Sequence, residues 1–231
     1  MGCEGSVWHR EPTEGAEGIP EGRHDTIQEV RDEERAVTID LDAAAHTLSG
    51  LRPFPVAVTT VHRGRTNGLM SLSAGGAGII HEAPRVQIGI TKHNFSHDLV
   101  VGSGIFVMHL LGNGPLLEPS LHIIQTLGGS SGRDGDKMGG LSTKTGVTGA
   151  PILLDALAYV EARVAHSLDT DENTIFVGDV VASERLHQGG RLNIGEAWAK
   201  LPKEWVETYE RNHIHQVNAA RRERGLPEQD H

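Results

Sequence analysis

Two polar segments of the chain contain residue types that could hold a phosphate-bearing ligand. The first is Leu69–Gly78, which places Ser71 and Ser73 directly before Gly75-Gly-Ala-Gly78. Serine hydroxyls and open backbone N–H groups can donate hydrogen bonds to phosphate oxygens, and glycine lets the backbone approach a ligand closely. A mobile surface loop has the same composition, so the residues of this segment leave both interpretations open.

The second segment is Lys92–His97, which reads Lys-His-Asn-Phe-Ser-His between a β-type run and a predicted short helix. A helix N-terminus favours anions, and Lys92 adds a positive charge. Asn94 or Ser96 could also be the N-cap of an ordinary surface helix, which is compatible with ligand binding. Within this segment Asn94 and Ser96 are stronger candidates for a ligand contact than His93.

Other chemistries find less support in the spacing of the residues. The chain has 14 histidines, and His93 and His97 are four residues apart, but no third ligand or supporting shell is evident, so we predict no metal site. The glycine-rich patterns of P-loops and Rossmann folds are missing from the sequence, and no Ser-His-Asp order with a nucleophile elbow appears.

Charge is distributed unevenly along the 231 residues, which carry a net charge of −10. Residues 1–40 hold eleven acids and four bases (−7), residues 41–199 fourteen and eleven (−3), and residues 200–231 six and six. We therefore expect an acidic, flexible N-terminal arm over residues 1–40, and no nucleic-acid surface. The apolar runs are too short to span a bilayer, and the single Cys3 and the missing secretory signal predict a cytoplasmic protein.

Periodicity predicts a mostly β body with a few helices. Short apolar or alternating runs indicate strands at residues 54–61, 86–91, 105–111, 156–168 and 174–181. We place a tight turn at Arg63–Arg65, so that Asn67 and Gly68 enter the next strand. Helical spacing or capping residues indicate helices at residues 25–37, 41–51, 96–102, 116–127 and 202–224.

The order of several short motifs resembles the flavin reductase-like family, whose fold is the FMN-binding split barrel. The matching segments span about residues 50–185: Phe54-Pro-Val-Ala-Val-Thr-Thr, Asn67-Gly-Leu-Met with Ser71 and Ser73, Pro84-Arg-Val, Ser96-His-Asp-Leu-Val with Gly104-Ile-Phe-Val, Asp136-Lys-Met, Gly149-Ala-Pro-Ile-Leu, Ala158-Tyr-Val-Glu-Ala-Arg-Val and Glu172-Asn-Thr-Ile-Phe-Val-Gly-Asp-Val. One departure is Asn173, which stands where the family has the histidine of an Asp-His-Thr motif.

The resemblance implies a Greek-key split β-barrel at residues 41–190. The C-terminal tail has no recognised counterpart in the family, and its own helix signals predict a helical extension at 191–231. It also implies a homodimer that binds FMN, or FAD, and reduces it with NAD(P)H. The reduced flavin could then serve a partner monooxygenase. Trp205 and Tyr209 in the extension are typical of core or dimer packing, and this helix could embrace the partner or cover the pocket.

Site residues follow from the same resemblance. The phosphate side would be held by Ser71, Ser73, Asn94 and Ser96, with Lys92 and His93 in the same segment. Other residues would line the flavin ring or ribityl chain, namely Met70, Leu72 and Thr91. The catalytic candidates are Asn173 and Thr174, which would lie near the nicotinamide face.

Two other functions remain open from the sequence. The protein could bind FMN tightly and act directly on a small organic substrate, with its tails closing the pocket. It could also be a non-catalytic flavin or haem binder. A fold alone does not choose between these functions.

Overall fold

The computed structural model describes residues 40–229. The described residues fall into two units, one that includes residues 40–47 and one that includes residues 48–229. The strands are β1 (Val56–His62), β2 (Arg65–Ser71), β3 (Ala74–Gly76), β4 (Arg85–Thr91), β5 (Ile105–Leu110), β6 (Thr143–Thr145), β7 (Pro151–Leu153), β8 (Ala158–Asp169) and β9 (Asn173–Arg185). The α-helices are α1 (Leu41–Gly50), α2 (Phe95–Ser103), α3 (Leu117–Gly128), α4 (Ile194–Lys200) and α5 (Lys203–Glu223).

Helix α1 begins with a side-chain cap. The carboxylate of Asp40 accepts a hydrogen bond from the backbone N–H of Ala43 at 2.9 Å, which satisfies one of the free donors of the first turn. The helix buries none of its own residues. The prediction of a short helix that ends near Gly50 is confirmed.

Seven strands form one antiparallel sheet in the order β2-β1-β5-β8-β9-β4-β3. Strands β2 and β3 therefore lie at opposite edges, although only Leu72 and Ser73 separate them in the chain. A flat sheet would place its edge strands about 29 Å apart, at about 4.8 Å per strand. The three Cα steps from Ser71 to Ala74 reach only about 11 Å. The sheet must therefore curl until its two edges are neighbours, which makes a half-barrel with a split at this connection.

The interior of the curled sheet is apolar. Val58, Ile88, Ile90 and Phe106 are at most 1 % exposed and pack together inside it. A second cluster lies between the sheet and helix α3, where Ile123, Ile124 and Leu127 are buried. This helix lies between β5 and β8 in the chain, and its last residue, Gly128, lines the cavity described below.

Most predicted elements occur where the sequence placed them. The turn between β1 and β2 is formed by Arg63 (φ 50°) and Gly64 (φ 76°), as predicted. Asn67 lies in β2, also as predicted, and pairs there with Thr60 of β1. Helix α4 was missed, although Asn193 is its cap and accepts a hydrogen bond from the N–H of Gly195. The helix predicted at residues 25–37 and nearly all of the acidic arm lie outside the described residues.

Candidate functional site: a cleft at the split of the half-barrel

A cavity of about 410 Å³ opens at the split of the half-barrel, and we call it the split cavity. One wall is the end of β2 with its connection to β3, another is the end of β4, and helices α4 and α5 supply aromatic side chains opposite. Its lining is Arg52, Pro55, Leu69, Met70, Ser71, Leu72, Ser73, Gly89, Ile90, Thr91, Asn94, Ile124, Gly128, Thr170, Asn173, Ile175, Ile194, Trp198, Trp205, Tyr209, His213 and Gln216.

A second cavity, of about 880 Å³, lies beside the first, and we call it the loop cavity because the loop from Gly129 to Asp134 forms part of it. It also contains residues of α2, Lys137 and the C-terminal half of α5. The two cavities form one continuous cleft, because they share the lining residues Leu69, Met70, Thr91, Asn94, Gly128, Tyr209 and Gln216.

The fold brings ten of the eleven predicted site residues to this cleft. Met70, Thr91 and Asn94 line both cavities. The other residues divide between them, with Ser71, Leu72, Ser73 and Asn173 in the split cavity and Lys92, His93 and Ser96 in the loop cavity. These residues come from β2, β4, α2 and β9 and from the segments that follow β2 and β4. The register of the sheet brings the strand ends together, since Thr91 of β4 pairs with Asn173 of β9.

Thr174 lines neither cavity. It is 8 % exposed, and its hydroxyl is 2.9 Å from Nε2 of His97 in helix α2. Burial lowers the pKa of His97, although Asp98 beside it acts in the opposite direction. A neutral His97 can share this hydrogen bond as donor or acceptor, and the bond ties α2 to the first residues of β9.

The predicted phosphate-binding hydroxyls differ in their partners. The Ser71 oxygen accepts a hydrogen bond from the N–H of Ser73 at 3.0 Å. The Ser96 oxygen accepts one from the side-chain amide of Asn67 at 2.9 Å. Both serine hydroxyl hydrogens therefore remain available to donate to a ligand. Asn94 is the N-cap of α2, but its side chain forms no capping bond.

Lys92 already has an anionic partner within the protein. Its Nζ lies 2.7 Å from Asp169, and the hydrogen bond from Lys92 is the main cause that holds the pKa of Asp169 below its usual range. The carboxylate is well exposed, so the pair is screened by water and weak. Lys92 can contribute a hydrogen bond or a long-range field to the cleft, but its charge is partly neutralised.

Cationic groups that sequence reasoning did not assign to the site lie at or beside the loop cavity, which Arg133 lines and Arg65 does not. The guanidinium of Arg65 lies 4.2 Å from the centre of the Phe95 ring, and that of Arg133 lies 5.4 Å away. Arg65 donates to the carbonyl of Gly132, and Arg133 to that of His93. These contacts fix the loop against the start of α2.

Lys137 is the third of these cations. Burial lowers its pKa to about 8, and its ammonium donates to the carbonyl oxygens of Leu127 and of Ser130, the latter at 2.8 Å. The resemblance of Asp136-Lys137-Met138 to a family motif was the signal that could have pointed to this residue. Among residues 40–229, no group of three His, Cys, Asp or Glu side chains is placed to hold a metal ion.

Aromatic residues of the C-terminal extension close the split cavity. Trp205 and Tyr209 of α5 are stacked, with ring centres 5.3 Å apart and planes at 18°. Trp198 of α4 meets both edge-on. Trp205 packs against Gly128, where an added Cβ would lie 3.2 Å from the indole ring, and its Nε1–H donates to the carbonyl of Gln125 at 3.2 Å.

The donor set of the cleft fits a flavin. Four side chains that line the cleft make no hydrogen bond to another residue that the structure describes, namely Ser73, Thr91, Asn94 and Asn173. Their donors and acceptors are therefore available to a ligand. A flavin presents ring carbonyls, an imide N–H, ribityl hydroxyls and a phosphate, which need such partners. The apolar side chains of Met70, Ile90 and Trp205 offer matching surface for its ring.

Comparisons with solved structures agree with the fold. The FMN-binding protein from Thermus thermophilus with bound 1-cyclohex-2-enone matches with a TM-score of 0.51 and 25% identity, over 58% of this chain and 71% of that chain. Nitrilotriacetate monooxygenase component B from Mycobacterium thermoresistibile matches with a TM-score of 0.55 and 23% identity, over 72% and 92%. The predicted split-barrel fold is confirmed.

Curated relatives are similar over part of their length. The High molecular weight rubredoxin of Moorella thermoacetica is 31% identical over 148 residues, which is 63% of this chain and 60% of the relative. The Ferric-chelate reductase (NAD(P)H) of Archaeoglobus fulgidus is 32% identical over 103 residues, or 44% and 59%. The chain thus spans about 60% of the length of these relatives. The model of the flavin reductase like domain matches residues 50–193, and this chain belongs to that family.

Proposed function

We propose that this protein is a flavin-dependent oxidoreductase, an NAD(P)H:flavin reductase that supplies reduced FMN. The observation that carries the proposal is the cleft at the split, where ten predicted site residues from three strands, one helix and their connecting segments meet. Membership of the flavin reductase like family supports the same conclusion. When bound, the flavin supplies the ring that accepts and passes on electrons.

The residues of the cleft divide into binding roles. Ser71, Ser73, Asn94 and Ser96 hold the phosphate side through hydroxyl and amide donors, and the cations at the loop cavity favour its charge. Met70, Leu72 and Thr91 line the ring or ribityl chain. Asn173 lies at the face where nicotinamide approaches, and Thr174 positions that strand end through its bond to His97.

Two parts of the proposal concern partners. The first is a homodimer, supported by an open apolar concavity of about 660 Å³ on the sheet that includes the half-exposed Leu72 and Leu110. The second is a monooxygenase that receives the reduced flavin, supported by the likeness to a monooxygenase component B.

No helix among residues 40–229 is long and apolar enough to cross a bilayer.

A second candidate function has its own structural support. The helices that close the split cavity lie beyond residue 193, where the family match ends. A covered cleft suits a protein that keeps its FMN and acts on a small organic molecule. The Thermus protein with bound 1-cyclohex-2-enone is a neighbour that binds such a molecule.

Anaerobic mixing with FMN and then NADH or NADPH tests the proposal. Protein-dependent loss of the oxidised flavin absorbance, with flavin that exchanges on dialysis, is the expected result for a reductase. Flavin that survives dialysis but is reduced slowly would favour the second candidate. Two outcomes would contradict the oxidoreductase proposal and favour a carrier. One is flavin that stays bound on dialysis and is reduced by neither NADH nor NADPH, and the other is a haem spectrum after reconstitution.

A further inference from the structure

Lys137 is a cation that the protein holds against carbonyl oxygens rather than against a carboxylate. Its Nζ donates to the carbonyls of Leu127 and Ser130, and it forms no ion pair with any residue that the structure describes. Burial lowers its pKa to about 8, and no nearby carboxylate raises it, so the group is still charged at neutral pH. An ammonium has three N–H donors, and one is left for another acceptor. Such a group is suited to bind an anion.

The other lysine and arginine of the loop cavity already have partners. Lys92 lies 2.7 Å from Asp169. Arg133 lies 2.7 Å from Asp98. The lining also includes three carboxylates, namely Asp134, Glu172 and Glu223. None of these three forms an ion pair with Lys137. Among the described lysines and arginines that line this cavity, Lys137 is therefore the one whose charge is not compensated by the protein.

One short loop connects Lys137 to the predicted phosphate segment. Ser130 of this loop accepts a hydrogen bond from Lys137 at 2.8 Å. Gly132 packs so closely against Asn67 that an added Cβ would overlap with its side-chain amide. The same amide of Asn67 donates to the hydroxyl oxygen of Ser96 at 2.9 Å. Lys137 and Ser96 thus belong to one connected set of contacts, and both line the loop cavity.

The loop cavity has room and polar groups beyond those that a flavin phosphate needs. Its volume of about 880 Å³ is more than twice the 410 Å³ of the split cavity. Ser130 and Asn212 line it, and their side chains make no hydrogen bond to another described residue. Ala219 and Ala220 of α5 add a short apolar surface. A hydroxyl, an amide and an apolar surface are suitable partners for a sugar and a nitrogenous base.

We propose that the loop cavity binds the adenosine diphosphate portion of a dinucleotide, with one phosphate at Lys137. The ammonium donates a charge-assisted hydrogen bond to a phosphate oxygen. FAD fits directly, because one of its two linked phosphates can lie at Ser96 and the other at Lys137. NAD(P)H contains the same portion and would bring it to the cavity beside bound FMN. This inference rests on the proposed function, because it specifies a nucleotide that the same cleft takes.

Titration calorimetry with ADP on the flavin-free full chain tests the phosphate contact. Adenosine, which has the same base and sugar but no phosphate, is the comparison ligand. We expect ADP to bind at least about tenfold more tightly than adenosine. Equal affinities for ADP and adenosine, or no binding of ADP, would overturn the inference.

Variants of Lys137 locate the binding. Lys137→Met should weaken ADP binding about tenfold, whereas Lys137→Arg keeps the charge and should keep most of the affinity. Lys144→Met is the matched control, since Lys144 is an exposed lysine of β6 that pairs with Glu184 at 2.8 Å. Lys137→Gln, which can still donate to a carbonyl, takes the place of Lys137→Met if that variant does not fold. Unchanged ADP affinity in a folded, uncharged variant would contradict the assignment.

Flavin and nicotinamide titrations identify the dinucleotide. FAD that binds about tenfold more tightly than FMN, with the preference abolished by Lys137→Met, assigns the site to the flavin. Equal affinities for FMN and FAD, with NAD⁺ or NADP⁺ binding to the FMN-saturated protein weakened by Lys137→Met, assign it to the nicotinamide donor. Absence of both effects would overturn the inference. Failure of NADH and NADPH to reduce bound flavin counts against the proposed function alone, because none of these binding measurements requires electron transfer.

Discussion

Two serines with the same predicted role have different surroundings in the folded protein. Ser73 is exposed at the split, and its hydroxyl oxygen lies against Gly89, where an added Cβ would meet it at 2.7 Å. Ser96 is 1 % exposed and is held by Asn67. Ser73 is therefore free to adjust to a ligand, whereas Ser96 is preorganised, and each can donate one hydrogen bond.

Replacing both serines tests the predicted phosphate contacts. Ser73→Ala with Ser96→Ala should raise the dissociation constant of FMN by about an order of magnitude or more, at about 1 kcal/mol per lost hydrogen bond. Fluorescence quenching of the flavin measures it. Two exposed strand serines, Ser167 and Ser183, changed together to Ala provide the control. Wild-type affinity in the first double variant would refute the assignment.

His109 is a buried residue whose role is structural. It is fully buried in β5, its Nε2 accepts the N–H of Leu153 at 3.0 Å, and its Nδ1–H donates to the carbonyl of Ala57 at 3.2 Å. Burial lowers its pKa to about 4 from 6.5. The unfolded chain thus binds a proton more readily than the folded protein, and the stability conferred by the neutral ring is lost as the pH falls from 6.5 towards 4.

This linkage predicts a pH effect on folding. Between pH 7 and pH 5 the wild-type free energy of unfolding should fall by about 2 kcal/mol more than that of His109→Gln. Urea titrations at both pH values measure the difference. His166→Gln, which replaces an exposed histidine of β8, is the matched control variant. Identical slopes for His109→Gln and the wild type would show that His109 titrates normally in the folded state.

At the scale of elements, helix α5 contributes to both cavities along one side. Trp205, Tyr209, His213 and Gln216 recur at helical spacing and line the split cavity, while Asn212, His215 and Ala219 line the loop cavity. The sequence analysis offered pocket cover or dimer contact for this helix. Its place at the cleft supports the first of these roles.

Deleting residues 202–231 should therefore weaken FMN binding roughly tenfold or more, equivalent to about 1.4 kcal/mol, because the ring loses one wall. Deleting 226–231 is the control, since it removes the tail that bonds to Asn218 but leaves Trp205 and Tyr209 in place. Flavin titration and circular dichroism measure affinity and folding. A folded 202–231 deletion with unchanged FMN affinity and unchanged oligomeric state would contradict a role for this helix in either.

At the scale of the whole molecule, the open face of the sheet is the surface that a second copy would cover. Its concavity is lined by Leu72, Met108, Leu110 and Val160 among others, and Leu110 is 37 % exposed. Exposed apolar concavities of this kind favour association, since burial removes them from water. The homodimer implied by the family resemblance remains a prediction.

Sedimentation measures the dimer directly. The wild type should sediment as a dimer, and Leu110→Asp should shift it towards the monomer, because a carboxylate buried at an interface is costly. Leu168→Asp provides a matched control, as Leu168 is 61 % exposed on β8 and does not line this concavity. A wild type that stays monomeric at high concentration would rule the dimer out.

Local signals explain which parts of the site were predictable. Strand and helix patterns are properties of neighbouring residues, so β1, β4, β5 and α3 could be placed from periodicity. The candidates Ser71 and Asn173 came from motifs whose order resembles a family, and Asn94 came from the polar segment Lys92–His97. The Arg65–Phe95–Arg133 contact was missed, because its members are far apart in the chain and no local pattern links them.

The sequence by itself determined the mostly β class, the flavin reductase-like resemblance and most of the residues that line the cleft. Only the tertiary structure decided that Leu72 and Ser73 join opposite edges of the sheet, which brings the ends of β2 and β4 together. It also placed Thr174 against His97 rather than in the cleft, and Trp205 and Tyr209 over it. The physical reason is that closure of the sheet and docking of α5 depend on contacts between distant residues, which no spacing along the chain encodes.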